Sequence, residues 1–433
     1  MIQAPRLWDV VEEHLDDAAF LWEQWERALS SPVQRPTEIA AHVETRLRAN
    51  LEGLRIACPE VIDRLLLPAL GSIERGRVAA VALVLAEQPG GLQHLLGALR
   101  TGGPESDEPI ARALGLATHP GLEAGLVAAL DLRDGRTATV VLEALAFRKV
   151  DPGPPLLDFL RSGEPLLKAA ALRAAHASRQ AVRLSVETAC ASPHPAVRDA
   201  AVRTALRLGL RTGYTSCERL LDTDPAAPAL LYEVLAMGGD PAALPRLVAG
   251  LERPATRRDA LTALGSAGWA EAVPRILECA DDPSLSRLAG EAFAAIAGVE
   301  IDGPFLAEEP TDDEPPAFED DDFEGTLVDG PEADLPAPEP DALRSWWARH
   351  GNRLDPAVRL LDGAPWTPER QLEVFLGAAA RRRGPLALEL SVRTRGQWEV
   401  ETRGWAAAQL EAERRPVRFA AEAKLPFPRL LRA

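Results

Sequence analysis

The chain has 433 residues, a formal net charge of −17, and a composition that is 46% hydrophobic but only 5% aromatic. Alanine and leucine dominate, and these residues favour helices whereas strands favour β-branched and aromatic residues, which argues against a β-sandwich or a β-barrel. No run of about 18 apolar residues is present to span a bilayer, and the acidic first 20 residues do not resemble a secretory signal, so we expect a cytoplasmic protein without membrane contact.

The first predicted element is a pair of amphipathic helices. Apolar residues recur every three or four positions through 7–29 and again through 39–54, which is the spacing of one helix face. An array of helical repeats needs an atypical unit to cover its end, and we assign residues 1–58 to such a cap. Trp22 and Trp25 are then predicted to be core residues rather than ligand-binding ones.

From 59 to 301 the chain repeats itself about every 30 residues. Segments 241–270 and 271–300 each carry one apolar stripe in the first half and another in the second. Neither helix buries its stripe alone, so we predict eight helix–turn–helix units that stack into a solenoid, with the unit at 212–240 the least regular. Asp-Pro pairs are expected to open helices, because Asp accepts free amide hydrogens and proline has none to lose. These pairs are Asp151-Pro152, Asp224-Pro225, Asp240-Pro241 and Asp282-Pro283.

A strongly acidic segment follows the repeats. Residues 302–341 contain 16 Asp or Glu, several prolines and no Lys or Arg. Such a segment buries too little apolar surface to offset the entropy of ordering it, so we predict a disordered linker. An alternative stays open, in which these acids contact a cationic protein or the basic C-terminal part of the chain. The apolar residues that keep it open are Phe305, Phe318, Phe323 and Leu327.

The last predicted domain, 342–433, is basic and rich in tryptophan. It has 17 Arg or Lys against 10 Asp or Glu and holds five of the nine tryptophans. A helix is predicted to start at Thr367 and to hold Arg381, Arg382 and Arg383 in its last turn, where cations suit the helix dipole. The alternative is that the three arginines form a patch for anions or nucleic acid.

The repeats carry a recognisable pattern in their second helices. The segments VRDAA at 197–201 and RRDAL at 257–261 resemble HEAT-like repeats of the short bacterial kind. The expected fold class is therefore all-α, a right-handed α-solenoid of HEAT-like helical repeats with a disordered acidic linker and a smaller C-terminal domain. The candidate partner-binding residues are Arg257, Arg258, Arg381, Arg382 and Arg383.

Both ends of the chain carry longer segments with a more specific resemblance. They are VVEEHLDDAAFLWEQWERALSSP at 10–32, ETRLRANLEGLRIA at 44–57 and APWTPERQLEVFLGAAARRRGPLALELSVRT at 364–394. These segments resemble a family of uncharacterised bacterial HEAT-repeat proteins whose members occur near type VI secretion genes. This chain departs from the family pattern at Asn50 and Cys58, where the family tends to have His and Gly. The resemblance implies a secretion-related partner and transfers no catalytic residues.

Sequence patterns for catalysis and cofactor binding are missing. The four cysteines, Cys58, Cys190, Cys217 and Cys279, form no CxxC pair, and no two histidines have HExxH spacing, so the zinc patterns fail. The widely spaced cysteines do not indicate a disulfide framework. No GxGxxG, GxxxxGK[ST] or GxSxG motif occurs. We therefore predict a protein that is not an enzyme and uses no cofactor or metal.

The expected function is a non-enzymatic protein-binding scaffold, because a solenoid presents a long surface with few obligatory core residues. By resemblance, its partner is a type VI secretion effector or spike component, and its role is that of an immunity protein or an effector-loading adaptor. Two alternatives stay open. One is a HEAT-like enzyme, such as the phycobilin lyases or alkylpurine DNA glycosylases, and the other is a nucleic-acid-binding protein that uses the basic C-terminal domain. DNA binding by the repeats is not expected, because they are net acidic.

Overall fold

The computed structural model describes residues 7–223, 228–307 and 332–432. In these ranges the regular secondary structure is helical apart from one short β-hairpin, which confirms the all-α prediction. None of the described helices is both long enough and apolar enough to cross a membrane. Two sequence predictions lie outside the described residues, the Asp224-Pro225 helix start and the linker residues 308–331.

The N-terminal cap folds as two long helices joined by a short one. Its elements are α1 (Trp8–Ala28), α2 (Pro36–Ile39), a π-helical turn (Ala40–Glu44) and α3 (Thr45–Ala57). The apolar stripe of α1 packs against α3, as its three- and four-residue spacing predicts. Trp22 and Trp25 are 1% and 0% exposed, so their assignment to the core is confirmed.

Eight helix pairs follow in the described part of the chain. The first begins with a π-helical turn, Ile62–Leu66, and the pairs are α4 (Leu67–Ala69) with α5 (Arg75–Ala86), α6 (Gly91–Thr101) with α7 (Asp107–Leu116), α8 (Leu122–Ala128) with α9 (Gly135–Arg148), α10 (Leu156–Phe159) with α11 (Pro165–Ala174), α12 (Arg183–Ala189) with α13 (Pro195–Arg207), α14 (Arg211–Thr223) with α15 (Ala229–Gly238), α16 (Leu244–Leu251) with α17 (Arg257–Ala267), and α18 (Val273–Cys279) with α19 (Ser286–Ala297). We call the odd-numbered helices from α5 to α19 the second helices.

The second helices pack on one another in chain order. Helix α1 packs on α5, and the row continues through α7, α9, α11 and α13 and again from α15 through α17 to α19. Between α13 and α15 the order is interrupted, because α14 packs against both. Tyr214 of α14 is buried and lies so close to Gly238 that no side chain fits there. This is the unit whose sequence is least regular.

The Asp-Pro pairs differ in what they do at helix starts. Asp240 caps a helical turn as predicted, since its side chain accepts from the Ala242 amide at 3.0 Å. The prediction is wrong for Asp151 and Asp282, because the following helices begin later, at Leu156 and Ser286. In both cases the carboxylate accepts the amide hydrogen of the residue two positions on, at 2.9 and 3.0 Å. That bond closes a turn ahead of the helix.

Residues 332–432, which we call the C-terminal segment, pack against the repeats along much of their length. The elements are α20 (Pro340–His350), β1 (Leu360–Leu361), β2 (Ala364–Pro365), α21 (Pro368–Gly377), α22 (Ala380–Arg393), α23 (Ala406–Glu413) and α24 (Phe427–Leu430). Leu388 and Phe427 belong to the same apolar core as the later repeats. At the other end, the Trp405 ring lies 4.7 Å from that of Trp25.

The predicted position of three arginines is wrong. Helix α21 ends at Gly377, and Arg381, Arg382 and Arg383 lie in the first turn of α22. The chain turns before the arginines, and Pro385 lies inside α22 instead of ending a helix. Cations are unfavourable at this end of the helix dipole. Their charge is offset because each arginine pairs with a carboxylate.

Both ends of the predicted linker are held in the fold. The Ala307 amide donates to the Ala337 carbonyl at 2.9 Å, and the Glu339 amide donates to the Phe305 carbonyl at 2.7 Å. Leu335 is buried and belongs to the core of the later repeats. Residues 302–307 and 332–341 are therefore structured, and the prediction of a disordered linker is wrong for these two ends.

Candidate partner-binding groove

One position of the second helices forms a continuous row on the side that faces the C-terminal segment. The residues recur at intervals of 29–31, so stacked helices place them on the same side. They line three adjoining clefts between the repeats and the C-terminal segment. We call this row the polar ladder, and its members are Arg112, Glu143, Arg173, Arg203, Glu233, Thr262 and Glu291.

Ion pairs connect neighbouring members of the polar ladder. Arg173 of α11 binds Glu143 of α9 through two nitrogens, and Arg203 of α13 lies 3.2 Å from Glu233 of α15. Each pair joins one repeat to the next, because the partners are 30 residues apart. A planar guanidinium matches a carboxylate in this two-point geometry. The ladder therefore neutralises most of its own charge.

The C-terminal segment binds the ends of the later second helices. Arg359 donates to the Ser266 carbonyl at 3.1 Å, and Arg393 donates to the Met237 carbonyl at 3.2 Å. The last carbonyls of a helix have no partner within the helix and carry its negative dipole end. Arginine side chains from the C-terminal segment therefore cap α15 and α17.

Glycines let the C-terminal segment approach these helix ends closely. Gly239, Gly268 and Gly298 follow α15, α17 and α19 with φ of 65°, 76° and 70°. The Leu360 amide donates to the Gly268 carbonyl at 2.7 Å, and a Cβ on Gly268 would clash with the Leu360 carbonyl oxygen. A side chain at this position would be strained by its backbone and would also push β1 away.

A buried ion cluster fastens α22 to the hairpin and the repeats. The Glu389 carboxylate is 2% exposed and accepts from Arg359 and Arg393, each at 2.7 Å. Burial alone would raise the pKa of Glu389, but the two guanidinium groups outweigh it and hold the pKa below its ordinary value. The Arg393 guanidinium lies 4.2 Å from the Trp366 ring centre. The Glu389 carboxylate is thus charged at neutral pH.

At the N-terminal end, one carboxylate connects the cap to the C-terminal segment. Glu44 is 1% exposed and accepts from the Trp25 indole at 3.1 Å and from the Ala406 and Ala407 amides at 2.5 and 3.1 Å. Those amides belong to the first turn of α23, where an anion is favoured. The C-terminal segment is therefore bound at both ends of the repeat array.

Between these attachments the polar ladder stays open. A cleft of about 570 Å³ lies between α7, α9, α11, α13 and residues 401–403, and it continues as a cleft of about 440 Å³ beside α13, α15 and α22. We call the two together the open cleft. The residues that line both parts are Lys149, Arg173, Arg207, Glu401 and Arg403.

Arg207 is the exceptional charged group of the open cleft. It is half-buried at the end of α13, and its side chain makes no hydrogen bond or ion pair with any residue that the structure describes. Burial lowers the pKa of the Arg207 guanidinium, and the nearby charges of Glu399 and Glu401 raise it in part. A guanidinium with unused donors in a cleft is suited to bind an anionic group.

His176 and Phe147 give the open cleft a second polar contact and a flat apolar wall. His176 Nδ1 lies 2.9 Å from the Arg173 carbonyl oxygen, so this nitrogen carries the hydrogen. Burial lowers the pKa of His176, and in the neutral ring Nε2 is an acceptor. Nε2 is buried and has no hydrogen-bond partner within 7–223, 228–307 and 332–432. The Phe147 ring lies 5.4 Å from the Arg112 guanidinium.

The arginines predicted to bind a partner all contact other parts of this chain. Arg257 donates to the Leu251 carbonyl at 2.9 Å, and Arg258 to the Ser284 carbonyl at 2.9 Å. Both lie at the start of α17. Arg381 lies 3.6 and 3.5 Å from Glu291 and Glu332. Its backbone amide donates to the Ser31 carbonyl, at the opposite end of the array.

The other two predicted arginines are engaged in the same way. Arg382 pairs with Asp362 at 3.2 Å. Arg383 is 1% exposed and binds Glu413 and the Phe375 carbonyl, so its side chain offers no surface to a partner in this structure. Partner binding through the exposed arginines stays a prediction. Arg381, Arg382 and Arg383 do not form a free basic patch.

The polar ladder was not predicted, although the sequence carries a signal for it. A polar residue recurs in each second helix with the 30-residue period of the apolar stripes. A side that is polar in every repeat faces something other than the core. Cys190 is buried, and His14 Nδ1 lies 2.8 Å from the Asn50 side-chain oxygen. The described residues contain no group of His, Cys, Asp or Glu side chains arranged to hold a metal ion.

No protein-family profile matches the chain, and no curated protein is similar to it. The groove itself therefore carries the functional conclusion.

Proposed function

We propose that this chain is a non-enzymatic protein-binding scaffold, built as a right-handed α-solenoid of HEAT-like repeats whose ladder side holds polypeptide. One observation carries the proposal. The repeats already bind about a hundred residues of their own chain along the ladder side, through ion pairs and through hydrogen bonds to helix-end carbonyls. Stacked helical repeats present extended surfaces of this kind to other proteins.

The open cleft is the part of this surface that the C-terminal segment leaves for a partner. It is lined by charged side chains from five repeats and by residues 399–403. Ion pairs with defined geometry give an interface specificity more than affinity. We propose that a second protein binds there while the C-terminal segment forms one wall.

The resemblance of the chain ends to HEAT-repeat proteins encoded near type VI secretion genes supports a partner from that system. We propose a cytoplasmic role as an immunity protein for an effector or as an adaptor that loads one. An immunity protein abolishes the toxicity of its partner, whereas a loading adaptor is required for its secretion. Deleting the gene with and without the neighbouring effector gene separates these two roles.

A pull-down tests the proposal. The tagged full chain is recovered from its native host at moderate salt, beside an Arg173→Glu variant of the ladder and an Arg219→Glu control on α14, an exposed residue outside the groove. We expect a stoichiometric protein partner with the wild type and the control, and at least tenfold less with Arg173→Glu. Nucleic acid without protein, or a partner retained by Arg173→Glu, would contradict the proposal.

A further inference from the structure

We propose that the open cleft binds an extended acidic peptide segment of the partner, with a carboxylate of that segment bound by Arg207. This inference rests on the proposed scaffold function and names the chemistry that the cleft recognises. Three observations support it, namely the charge balance of the cleft, its length, and the unused hydrogen-bonding groups in its wall.

The charge balance leaves one cation without a partner. Every carboxylate that lines the open cleft within the described residues is already in an ion pair, whereas Arg207 is in none. A cation that is partly removed from water and in no ion pair is unfavourable, and the nearby charges of Glu399 and Glu401 offset this only in part, so an added carboxylate gains a direct contact with Arg207 that no group of the described chain makes. The seven pairs are Asp107–Arg136, Glu108–Arg75, Glu143–Arg173, Asp199–Arg198, Glu233–Arg203, Glu399–Lys149 and Glu401–Arg403.

The length of the cleft favours a peptide over a small molecule. Its larger part alone spans four successive second helices, from α7 to α13. Packed helices lie 8–10 Å apart, so three such steps extend about 27 Å. An extended chain rises about 3.3 Å per residue, which makes this the length of about eight residues.

The wall of the cleft offers what a peptide backbone and an apolar side chain require. His176 Nε2 is an acceptor without a partner in the described chain, and a backbone N–H is a matching donor. Phe147 lines the same wall, together with Ala111, Val140 and Leu166. The expected ligand is therefore a segment in which Asp or Glu residues alternate with apolar ones, because successive side chains of an extended peptide point to opposite sides.

Random octapeptides displayed on phage provide the probe. They are selected on the immobilised full chain, and the best acidic peptide is labelled and titrated by fluorescence polarisation. We expect enrichment of Asp and Glu on the wild type and a Kd at least tenfold higher on Arg207→Gln, with no change on the Arg219→Gln control. When the Asp or Glu of the peptide is replaced by Asn or Gln, the affinity for the wild type should fall by the same factor, and the affinity for Arg207→Gln should fall no further.

Other outcomes overturn the inference. The first is that the selected peptides are not enriched in Asp or Glu, and the second is that acidic peptides bind Arg207→Gln as tightly as they bind the wild type. The third is that no octapeptide binds, while inorganic phosphate or succinate binds in a way that requires Arg207. Arg207→Gln should melt close to the wild-type temperature, since no side-chain hydrogen bond or ion pair of Arg207 within the described chain is lost. If a host partner is recovered equally by wild type and Arg207→Gln, the scaffold function stands and the cleft assignment fails. If the wild type recovers no partner, the scaffold function itself fails.

Discussion

Replacing Glu389 by glutamine tests how the C-terminal segment is fastened to the repeats. The substitution keeps the shape of the side chain but removes the charge between Arg359 and Arg393, which both lie 2.7 Å away. Two guanidinium groups are then buried without a counter-charge. Breaking a buried ion pair in this way destabilises by about 3–5 kcal/mol.

The structure places the expected loss near the lower end of that range. Both arginines keep main-chain acceptors, at Ser266 and Ala267 for Arg359 and at Met237 for Arg393. These carbonyls still satisfy several donors when the carboxylate is gone. We therefore expect a loss of about 3 kcal/mol in the local stability of the C-terminal segment.

Hydrogen exchange of the full chain, read by mass spectrometry, measures this loss by region. A loss of about 3 kcal/mol corresponds to exchange faster by about two orders of magnitude. We expect it in α22 and in the 421–432 region, which Arg393 contacts, and not in α5, α7 or α9. Opening of part of a structure with its own free energy is what exchange detects.

An exposed ion pair of the same segment is the matched control. Glu411 pairs with Arg414 at 2.7 Å, with both side chains more than two-thirds exposed. Its replacement by glutamine should change stability by less than about 0.5 kcal/mol. The reasoning fails if Glu389→Gln is as mild as Glu411→Gln, or if the early repeats lose protection to the same extent.

Three further predictions follow from the same contacts. Glu44→Ala leaves the buried Ala406 amide, the Ala407 amide and the buried Trp25 indole without their acceptor, so we expect the free energy of unfolding in urea to fall by about 3 kcal/mol; an unchanged midpoint would contradict this. Gly268→Ala should lower the melting temperature clearly more than Gly209→Ala, because both glycines have positive φ but only at Gly268 would the added Cβ clash with another segment; equal effects would refute the close approach of β1. Burial by itself raises the pKa of the Glu389 and Glu399 carboxyl groups, but the neighbouring cations outweigh burial and hold both pKa values below their ordinary value. The stability that these two ionised carboxylates contribute is therefore present above about pH 4.5 and is lost as the pH falls through their lowered pKa values in the folded protein. Thermal unfolding between pH 7 and pH 3 measures this, and a contribution that grows as the pH falls would show that the cations do not dominate.

The amino-acid sequence determined the helices and their repetition. The pairs between 61 and 300, the buried side of α1 with Trp22 and Trp25, and the irregular unit at 212–240 could all be predicted from it. These features depend on spacings of three, four and about 30 residues, which are local properties of the chain. Where a helix starts is less local, and the turns at Asp151 and Asp282 show that one side chain can close a turn instead of a helix.

Only the tertiary structure decided where the C-terminal segment lies. Glu44 bonds an amide 362 residues further on, and Arg381 connects Ser31 to Glu291. No periodic pattern encodes such pairings, because each joins residues that only the packing of many helices brings together from distant parts of the chain. The same holds for the open cleft. Arg207 is one arginine among many in the sequence, and it is left without an ion pair only because the folded chain pairs the nearby Glu399 with Lys149 and Glu401 with Arg403.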